Sequence, residues 1–315
     1  MTTPTVLLIG GPETGKSNFL FRVWNHIFSR TGLLEMNGLP ADLDYLKEGA
    51  ACQLRGEYAG HTTSQIGEAI SNIPICRKGD VQSTALLVVP DVDGEQINKV
   101  YRDRRWSPEW DKLITKESAF LVFVRVNSEL TVPSLDWVAC HEIYGFAPPR
   151  NPSEEAKGGA ESGLVEAVSS QNVLTSAAAA QKMPPPTQVV LVDWLQFILA
   201  TINAKYERPG RPRVGIVVTG WDCVPKDFEG GPADWIRENL PLLSQFCENN
   251  RESLEVAYFG SSIFSGDPEG DPAYEKSMGK LDPRTLGYVR CPGSDVESQD
   301  FTLPIAWALG WESIT

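Results

Sequence analysis

Short apolar runs and stretches of helical spacing alternate along most of the 315-residue chain. The apolar runs have strand length and predict buried strands. They cover residues 5–9, 70–77, 83–89, 119–126, 213–218 and 254–259. Apolar positions three and four residues apart predict helices. These cover residues 16–32, 33–55, 188–206, 232–249 and 302–311. This alternation favours the α/β class, with a mostly parallel sheet and helices on both faces.

Two stretches break the alternation because their composition shifts towards Pro, Gly, Ser and acidic residues. Residues 148–186 contain a four-alanine run, and residues 265–299 are rich in Gly, Asp and Pro. Such segments bury too little apolar surface to form a core of their own. We therefore predict a single domain over residues 1–315, with a disordered insertion at 148–186 and a second insertion at 265–299.

Charge and composition exclude several classes of function. The formal net charge is −13, so the chain is a poor candidate for binding nucleic acid or an anionic membrane surface. No run of 18 apolar residues is present, and we predict no membrane span. The N-terminus leads directly into a strand without a signal-peptide pattern, and the six cysteines are scattered. These features predict a cytoplasmic protein with free thiols and without a zinc site.

A phosphate-binding motif follows the first strand. Residues 10–17, GGPETGKS, match the P-loop pattern G-x-x-x-x-G-K-[ST]. Glycines allow successive N–H groups to face a phosphate, and the helix N-terminus adds its positive dipole end. Lys16 would contact the β- and γ-phosphates as a catalytic cation, and Ser17 would bind Mg²⁺. The candidate nucleotide-binding residues are Gly10, Gly11, Pro12, Glu13, Thr14, Gly15, Lys16, Ser17 and Asn18. The motif predicts a nucleoside triphosphate site.

A D-x-x-G sequence at residues 91–94 follows the apolar run 83–89. An aspartate at the carboxyl end of a strand beside the P-loop strand can hold Mg²⁺, and the glycine N–H can contact the γ-phosphate. The alternative is a plain Asx turn. The position after an apolar strand favours Asp91 as a metal residue and Gly94 as a nucleotide contact.

The order of these motifs resembles the Ras-like P-loop GTPases of the translation-factor class. Residues 219–222, TGWD, and residues 260–262, GSS, follow two later strands. In the family these positions carry [NT]-K-x-D and a small Ser-Ala loop. The resemblance implies that Asp222 recognises guanine, that Thr219 ties its loop to the P-loop, and that Ser261 and Ser262 approach guanine O6. The chain departs from the family at Gly220, where a lysine usually packs its stem over the base.

The sequences at both ends of the chain indicate a more specific family within this class. The opening TVLLIGGPETGKSNFLFRVW and the closing DFTLPIAWALGW are similar to the bacterial double-GTPase domains of multi-gene conflict systems. Membership implies a cytoplasmic GTPase that binds GTP or GDP with Mg²⁺. It also implies a partner GTPase, or a GTPase-activating-like protein, in defence against invaders.

The resemblance also implies a switch threonine and a residue that orients the attacking water. Thr62 and Thr63 lie in the expected loop as candidate Mg²⁺ ligands, and the sequence does not choose between them. Ras-like proteins place glutamine directly after the D-x-x-G glycine. Here Glu95 holds that position and Gln96 follows, so both are candidate catalytic residues and we expect slow hydrolysis without a partner.

Two alternatives and a partner surface complete the predictions. An ATP-dependent AAA or signalling-type module and a non-hydrolysing nucleotide-bound scaffold both remain open. We expect a GTP-dependent protein contact through residues 56–67 and 94–110. Trp106 and Trp110 are its candidate anchors if they are exposed, and core residues if they are not.

Overall fold

The computed structural model describes most of the chain before residue 128 and after residue 185. The described residues are 3–11, 13–59, 71–89, 100–101, 103–104, 108–127, 186–207, 210–267, 271, 274, 276, 282, 285–293 and 296–313. Residues 1–128 and 188–315 form one compact unit, and residues 129–187 are assigned to a second. Nearly all of the second unit lies outside the described residues. The predicted single domain and its insertion at 148–186 therefore stay predictions.

Nine strands in the described residues form one sheet. In chain order they are β1 Thr5–Gly10, β2 Leu34–Met36, β3 Ser71–Arg77, β4 Asp80–Val89, β5 Ser118–Arg125, β6 Arg213–Thr219, β7 Glu255–Ser262, β8 Tyr288–Arg290 and β9 Glu297–Ser298. Their order across the sheet is β2-β3-β4-β1-β5-β6-β7-β8-β9. The five central strands, β4, β1, β5, β6 and β7, are parallel, and the pairs at both edges are antiparallel.

Seven α-helices in the same residues accompany the sheet. They are α1 Lys16–Ser29, α2 Leu43–Leu54, α3 Pro108–Leu113, α4 Thr187–Lys205, α5 Pro232–Asn239, α6 Pro241–Asn249 and α7 Leu303–Ala308. Buried side chains of α1, α2 and α7 pack on one face of the sheet, and those of α3 to α6 pack on the other. The predicted α/β architecture, with a mostly parallel sheet covered on both faces, is confirmed.

The central strand β1 is covered by helices on both faces, and this explains its apolar residues 6–9. Val6 and Leu8 belong to the core on the α1 side, whereas Leu7 and Ile9 belong to the core on the α4 side. Successive side chains of a strand point to opposite faces, so a strand between two helical layers needs apolar residues at every position. Packing on both faces therefore holds β1, the strand whose carboxyl end carries the P-loop, in place.

Helix α4 is long and apolar. Among the described helices it is the one whose length and mean hydropathy, 1.3 over 18 residues, would allow it to cross a membrane. Half of that window is buried inside the protein, and core helices commonly meet the same criterion. Its Trp194 and Leu195 pack in the core beneath the sheet. The helix is thus weak evidence for a membrane span, and the predicted absence of one stays a prediction.

Several elements differ from the sequence predictions. The helix predicted over residues 232–249 is two helices, because Pro241 lacks an N–H and disfavours the α conformation at Leu240 (φ −130°, ψ 58°). Strand β2 lies within the helix predicted over residues 33–55. Strands β8 and β9 lie within the predicted insertion 265–299, and β7 continues through Ser262 instead of ending at residue 259.

Candidate functional site

The P-loop leaves the sheet at the carboxyl end of β1 and enters α1 at Lys16. Glu13 and Gly15 both have left-handed backbone angles, with φ of 58° and 78°. Left-handed residues in such a loop turn consecutive N–H groups towards one concave surface, which is a common anion-binding arrangement. Pro12 lies outside the described residues. The described backbone therefore contains left-handed residues of the kind found in phosphate-binding loops.

Neighbouring side chains explain two of the P-loop glycines. A Cβ on Gly10 would lie 2.6 Å from Thr14 Oγ1 and 3.0 Å from Phe123 Cβ. A Cβ on Gly15 would lie 3.1 Å from Thr219 Oγ1, in a backbone conformation that already favours glycine. The glycines therefore permit a close approach between the loop, β5 and the end of β6.

Lys16 and Ser17 are the first two residues of α1, and both are half-buried. The first turn of α1 contains no acidic residue, so its positive dipole end faces no carboxylate of its own. The Ser17 hydroxyl is a hard oxygen donor that fits Mg²⁺ as one ligand, with phosphate oxygens and water as the others. No group of three or more His, Cys, Asp or Glu side chains in the described residues forms a metal site by itself.

Thr219, at the end of β6, contacts the P-loop directly. Its hydroxyl is close to the carbonyl of Thr14, at 2.7 Å, and to that of Val124, at 3.2 Å. The Thr14 hydroxyl in turn donates to the Gly11 carbonyl at 2.9 Å. The contact that the resemblance implied between residues 219–222 and the P-loop is thus present. A direct contact of Thr219 with nucleotide stays a prediction.

Asp222 lies in the 3₁₀ turn Trp221–Cys223, directly after β6 and Gly220. The Trp221 indole is buried against Gly260 of β7, where a Cβ would come within 2.7 Å of the ring. This packing fixes the turn, while the Asp222 side chain is only half-buried. Asp222 and the P-loop therefore lie at the same, carboxyl, edge of the sheet, where ligands of parallel α/β sheets bind.

Tyr58 approaches this site from the segment after α2. Its ring packs edge-on against Phe264 at a centroid distance of 5.0 Å, and its hydroxyl lies 3.5 Å from the Gly266 carbonyl. Burial raises the pKa of the Tyr58 phenol far above its usual value, and the negative charges of Asp222 and Asp267 raise it further. Tyr58 is thus a neutral phenol within electrostatic range of the Asp222 carboxylate.

Ser261 and Ser262 lie within β7 and not in a loop after it. Ser261 pairs with Thr219 of β6 and with Val289 of β8. Both serines are buried, and the Ser262 hydroxyl accepts a hydrogen bond from the Ser265 N–H at 2.8 Å. The loop at this corner therefore begins at residue 263, later than the sequence indicated. Guanine contacts from Ser261 and Ser262 stay predictions.

Asn18 accepts hydrogen bonds from two residues at and after the end of α2. Its side-chain oxygen accepts a hydrogen bond from the Ala59 N–H at 3.0 Å, and its carbonyl accepts one from Gln53 Nε2 at 2.6 Å. Gln53 is fully buried. Sequence reasoning missed Gln53 and Tyr58, because a single glutamine in a helix and a single tyrosine in a polar loop carry no motif. Together these contacts hold residues 53–59 against the start of α1.

Several predicted site residues lie outside the described part of the chain. They are Pro12, Thr62, Thr63, Asp91, Gly94, Glu95 and Gln96. Strand β4, which leads to Asp91, is described and pairs in parallel with β1, from Thr5 opposite Leu86 to Leu7 opposite Val88. The metal and catalytic roles of these residues stay predictions.

The predicted partner surface is corrected at one position. Trp110 is 4 % exposed and packs edge-on against Trp194, with ring centroids 4.5 Å apart. It is therefore a core residue and not an exposed anchor, while Trp106 lies outside the described residues. Arg104, one of the arginines nearby, forms an ion pair with Asp193 of α4.

Comparison with known proteins gives one strong match. The model of the family DO-GTPase1, described as Double-GTPase 1, matches residues 7–308. No curated protein matches the chain. Among solved structures, a signal recognition particle receptor SRb-GTP/SRX complex from Chaetomium thermophilum is similar. It has 13 % sequence identity and a TM-score of 0.35, with 89 % of this chain and 99 % of that chain covered. The match to the structure is distant, and the family match alone carries the assignment.

Proposed function

The chain belongs to the Double-GTPase 1 family, and we propose from this premise that it is a GTP-binding switch that hydrolyses GTP slowly. We further propose that it signals through a partner protein in bacterial defence. The observation that carries the proposal is the 2.7 Å contact of Thr219 with the carbonyl of Thr14. It ties the segment that carries Asp222 to the phosphate-binding loop, so that one nucleotide can reach both.

Asp222 supplies the base specificity in this proposal. A carboxylate accepts hydrogen bonds from N1–H and the 2-amino group of guanine. Adenine has an unprotonated N1 and no 2-amino group, so it would leave the carboxylate unpaired against a lone pair. Sites built on such polar pairing discriminate strongly against a base that lacks the donors.

The P-loop holds the phosphates. Its N–H groups and the N-terminus of α1 provide fixed partial positive charge, and Lys16 adds a full charge next to the β- and γ-phosphates. Ser17 would hold Mg²⁺ together with Asp91, and either Thr62 or Thr63 would complete the protein ligands. The ion would supply charge neutralisation on the β- and γ-oxygens. The hydroxyl at the start of α1 supports this role for Ser17.

Hydrolysis would be slow because a glutamate occupies the position that orients the attacking water in Ras-like proteins. The negative charge of Glu95 is unfavourable beside a triphosphate unless a cation offsets it. Gln96 has the suitable amide but stands one residue further along. Of the nearby arginines, Arg104 is engaged by Asp193. A partner that supplies an arginine, or that fixes residues 94–96, would raise the rate.

Single-turnover hydrolysis of GTP with Mg²⁺ by the purified chain tests this proposal. We expect a rate on the order of 10⁻⁴ s⁻¹, comparable to the intrinsic rate of Ras. Lys16→Ala should abolish tight GTP binding, because the loop would face the phosphate charge without its main counter-ion. A rate near 1 s⁻¹ without a partner would contradict the proposed incomplete site, and unchanged GTP binding by Lys16→Ala would contradict the P-loop assignment.

The signalling role rests on the family and on the charge of the chain. The family name denotes a double GTPase, which supports a second GTPase or a GTPase-activating-like protein as the partner. A net charge of −13 favours a protein partner with basic surface over nucleic acid. We place the protein in the cytoplasm, with residues 56–67 as part of the GTP-dependent surface.

A further inference from the structure

The T-G-W-D segment lacks the lysine that the Ras-like pattern has at its second position. Gly220 occupies that position with φ 67°, a left-handed conformation that disfavours a side chain. A Cβ built on Gly220 would have one neighbour within 4 Å among the described residues, Cγ of Arg125 at 4.0 Å. The aliphatic stem of Arg125 therefore lies next to the space into which a side chain at position 220 would extend.

Arg125 reaches the P-loop from the neighbouring strand. It is the last residue of β5 and lies in register with Thr219 of β6. Its Nη1 is 3.5 Å from the carbonyl of Glu13, a long contact, and Thr219 contacts the next carbonyl, that of Thr14. Two adjacent strand ends thus contact consecutive carbonyls of the P-loop.

The groups around Arg125 are those at which we propose that the nucleotide base binds. The guanidinium is exposed, and its positive charge acts on Tyr58 and Cys223, the same groups on which the Asp222 carboxylate acts. In both cases the charge of Arg125 lowers the pKa, against the stronger raising effect of burial. Arg125 therefore carries its charge near Tyr58 and Cys223, two groups on which the Asp222 carboxylate also acts.

We propose that Arg125 takes the place of the missing lysine: its stem covers the nucleotide base beside Gly220, and its guanidinium holds the Glu13 carbonyl of the P-loop. This inference rests on the proposed function, since it assigns one more binding residue to the same guanine-nucleotide site. Arginine suits the role because its aliphatic stem can pack against an apolar surface while its N–H groups bond an oxygen.

The test measures GDP and inosine diphosphate affinity by calorimetry for the full chain and its variants. We expect Arg125→Ala to weaken GDP binding about tenfold, because a charge-assisted bond and the stem that covers the base are both lost. Inosine diphosphate should weaken by the same factor, because Arg125 does not contact the 2-amino edge of the base. Arg125→Lys should stay within about threefold of the wild type, because it keeps the stem and the charge.

Arg77→Ala is the matched control. Arg77 is an exposed arginine at the end of β3, which is antiparallel to β4, so it lies at the opposite edge of the sheet. Its loss should leave GDP affinity unchanged. If Arg125→Ala has too low a melting temperature for calorimetry, Arg125→Gln provides the same comparison with Arg125→Lys.

Two results would overturn the assignment of Arg125. One is GDP affinity in Arg125→Ala equal to that of Arg77→Ala, and the other is a Lys variant as weak as the Ala or Gln variant. In both cases tight GDP binding by the wild type would leave the proposed function intact. A wild type that binds GDP no better than ADP would instead contradict the proposed function itself.

Discussion

Thr219 joins two segments of the chain that lie 205 positions apart. The P-loop could be predicted from sequence because its residues are consecutive, and glycine, lysine and serine each have a separate physical task at a fixed spacing. The Thr219 contact followed from the resemblance. Arg125 could not be predicted, because an arginine that ends an apolar strand is ordinary and its role depends on Gly220, which lies on another strand.

Thr219→Val tests the link between the T-G-W-D segment, residues 219–222, and the P-loop. Valine keeps the shape of threonine but cannot hydrogen-bond, so the Thr14 carbonyl loses its contact. We expect the free energy of unfolding to fall by about 1–3 kcal/mol, measured by urea denaturation, and GDP affinity to fall with it. Thr219→Ser keeps the hydroxyl and should retain most of the affinity. Equal stability and affinity of the Val variant and the wild type would contradict the link.

Local sequence signals predict the long helices and strands. They do not predict the short strands, which depend on pairing with distant parts of the chain. The central strands and α4 were predictable because their apolar patterns are long. Strands β2, β8 and β9 have two or three residues each and exist through pairing with distant strands, which leaves no local pattern. The break at Pro241 was marked in the sequence by the proline itself. Apolar periodicity continues across it, and this led to the prediction of a single helix.

The carboxyl end of α1 is fixed to the segment before α7. Asp300 accepts a hydrogen bond from the Leu33 N–H at 3.0 Å, and Thr302 Oγ1 lies 2.9 Å from the same nitrogen. His26, on the last turns of α1, stacks on Phe301 with ring centroids 5.8 Å apart and bonds Thr31 at 2.9 Å. Residues 300–302 therefore stabilise the carboxyl end of the helix that begins at the P-loop.

His26 makes this junction sensitive to acid. Burial lowers its pKa below the ordinary 6.5, against the opposing charge of Asp300, so the folded protein keeps His26 neutral where the unfolded chain takes up a proton. A lowered pKa means that the stabilising contribution is complete above pH 6.5 and is lost as the pH falls below it.

The comparison of wild type with His26→Gln measures that contribution. We expect the wild type to lose more stability than the variant between about pH 7 and pH 5 in urea denaturation, because the variant lacks the buried imidazole of His26 that would take up a proton. Both proteins share every carboxylate, so the difference isolates His26. Parallel pH profiles would contradict a buried neutral histidine at this junction.

The molecule as a whole brings the P-loop, Thr219, Asp222, Tyr58 and Arg125 to one edge of its sheet. The position of that edge follows from parallel topology, so its location was predictable once the strands were. The side chains that complete the edge come from segments far apart in sequence, and only the folded chain brings them together. Positions 95 and 96, which we propose to be catalytic, lie outside the described residues.

Calorimetric titration of the wild-type chain with GDP and with ADP, both in the presence of Mg²⁺, tests most directly whether this edge is a guanine-nucleotide site. We expect GDP to bind at least about tenfold more tightly, because only guanine offers donors to the Asp222 carboxylate. Asp222→Asn should weaken GDP and improve xanthosine diphosphate, whose O2 would accept from the new amide. Equal affinities of the wild type for GDP and ADP would contradict the account.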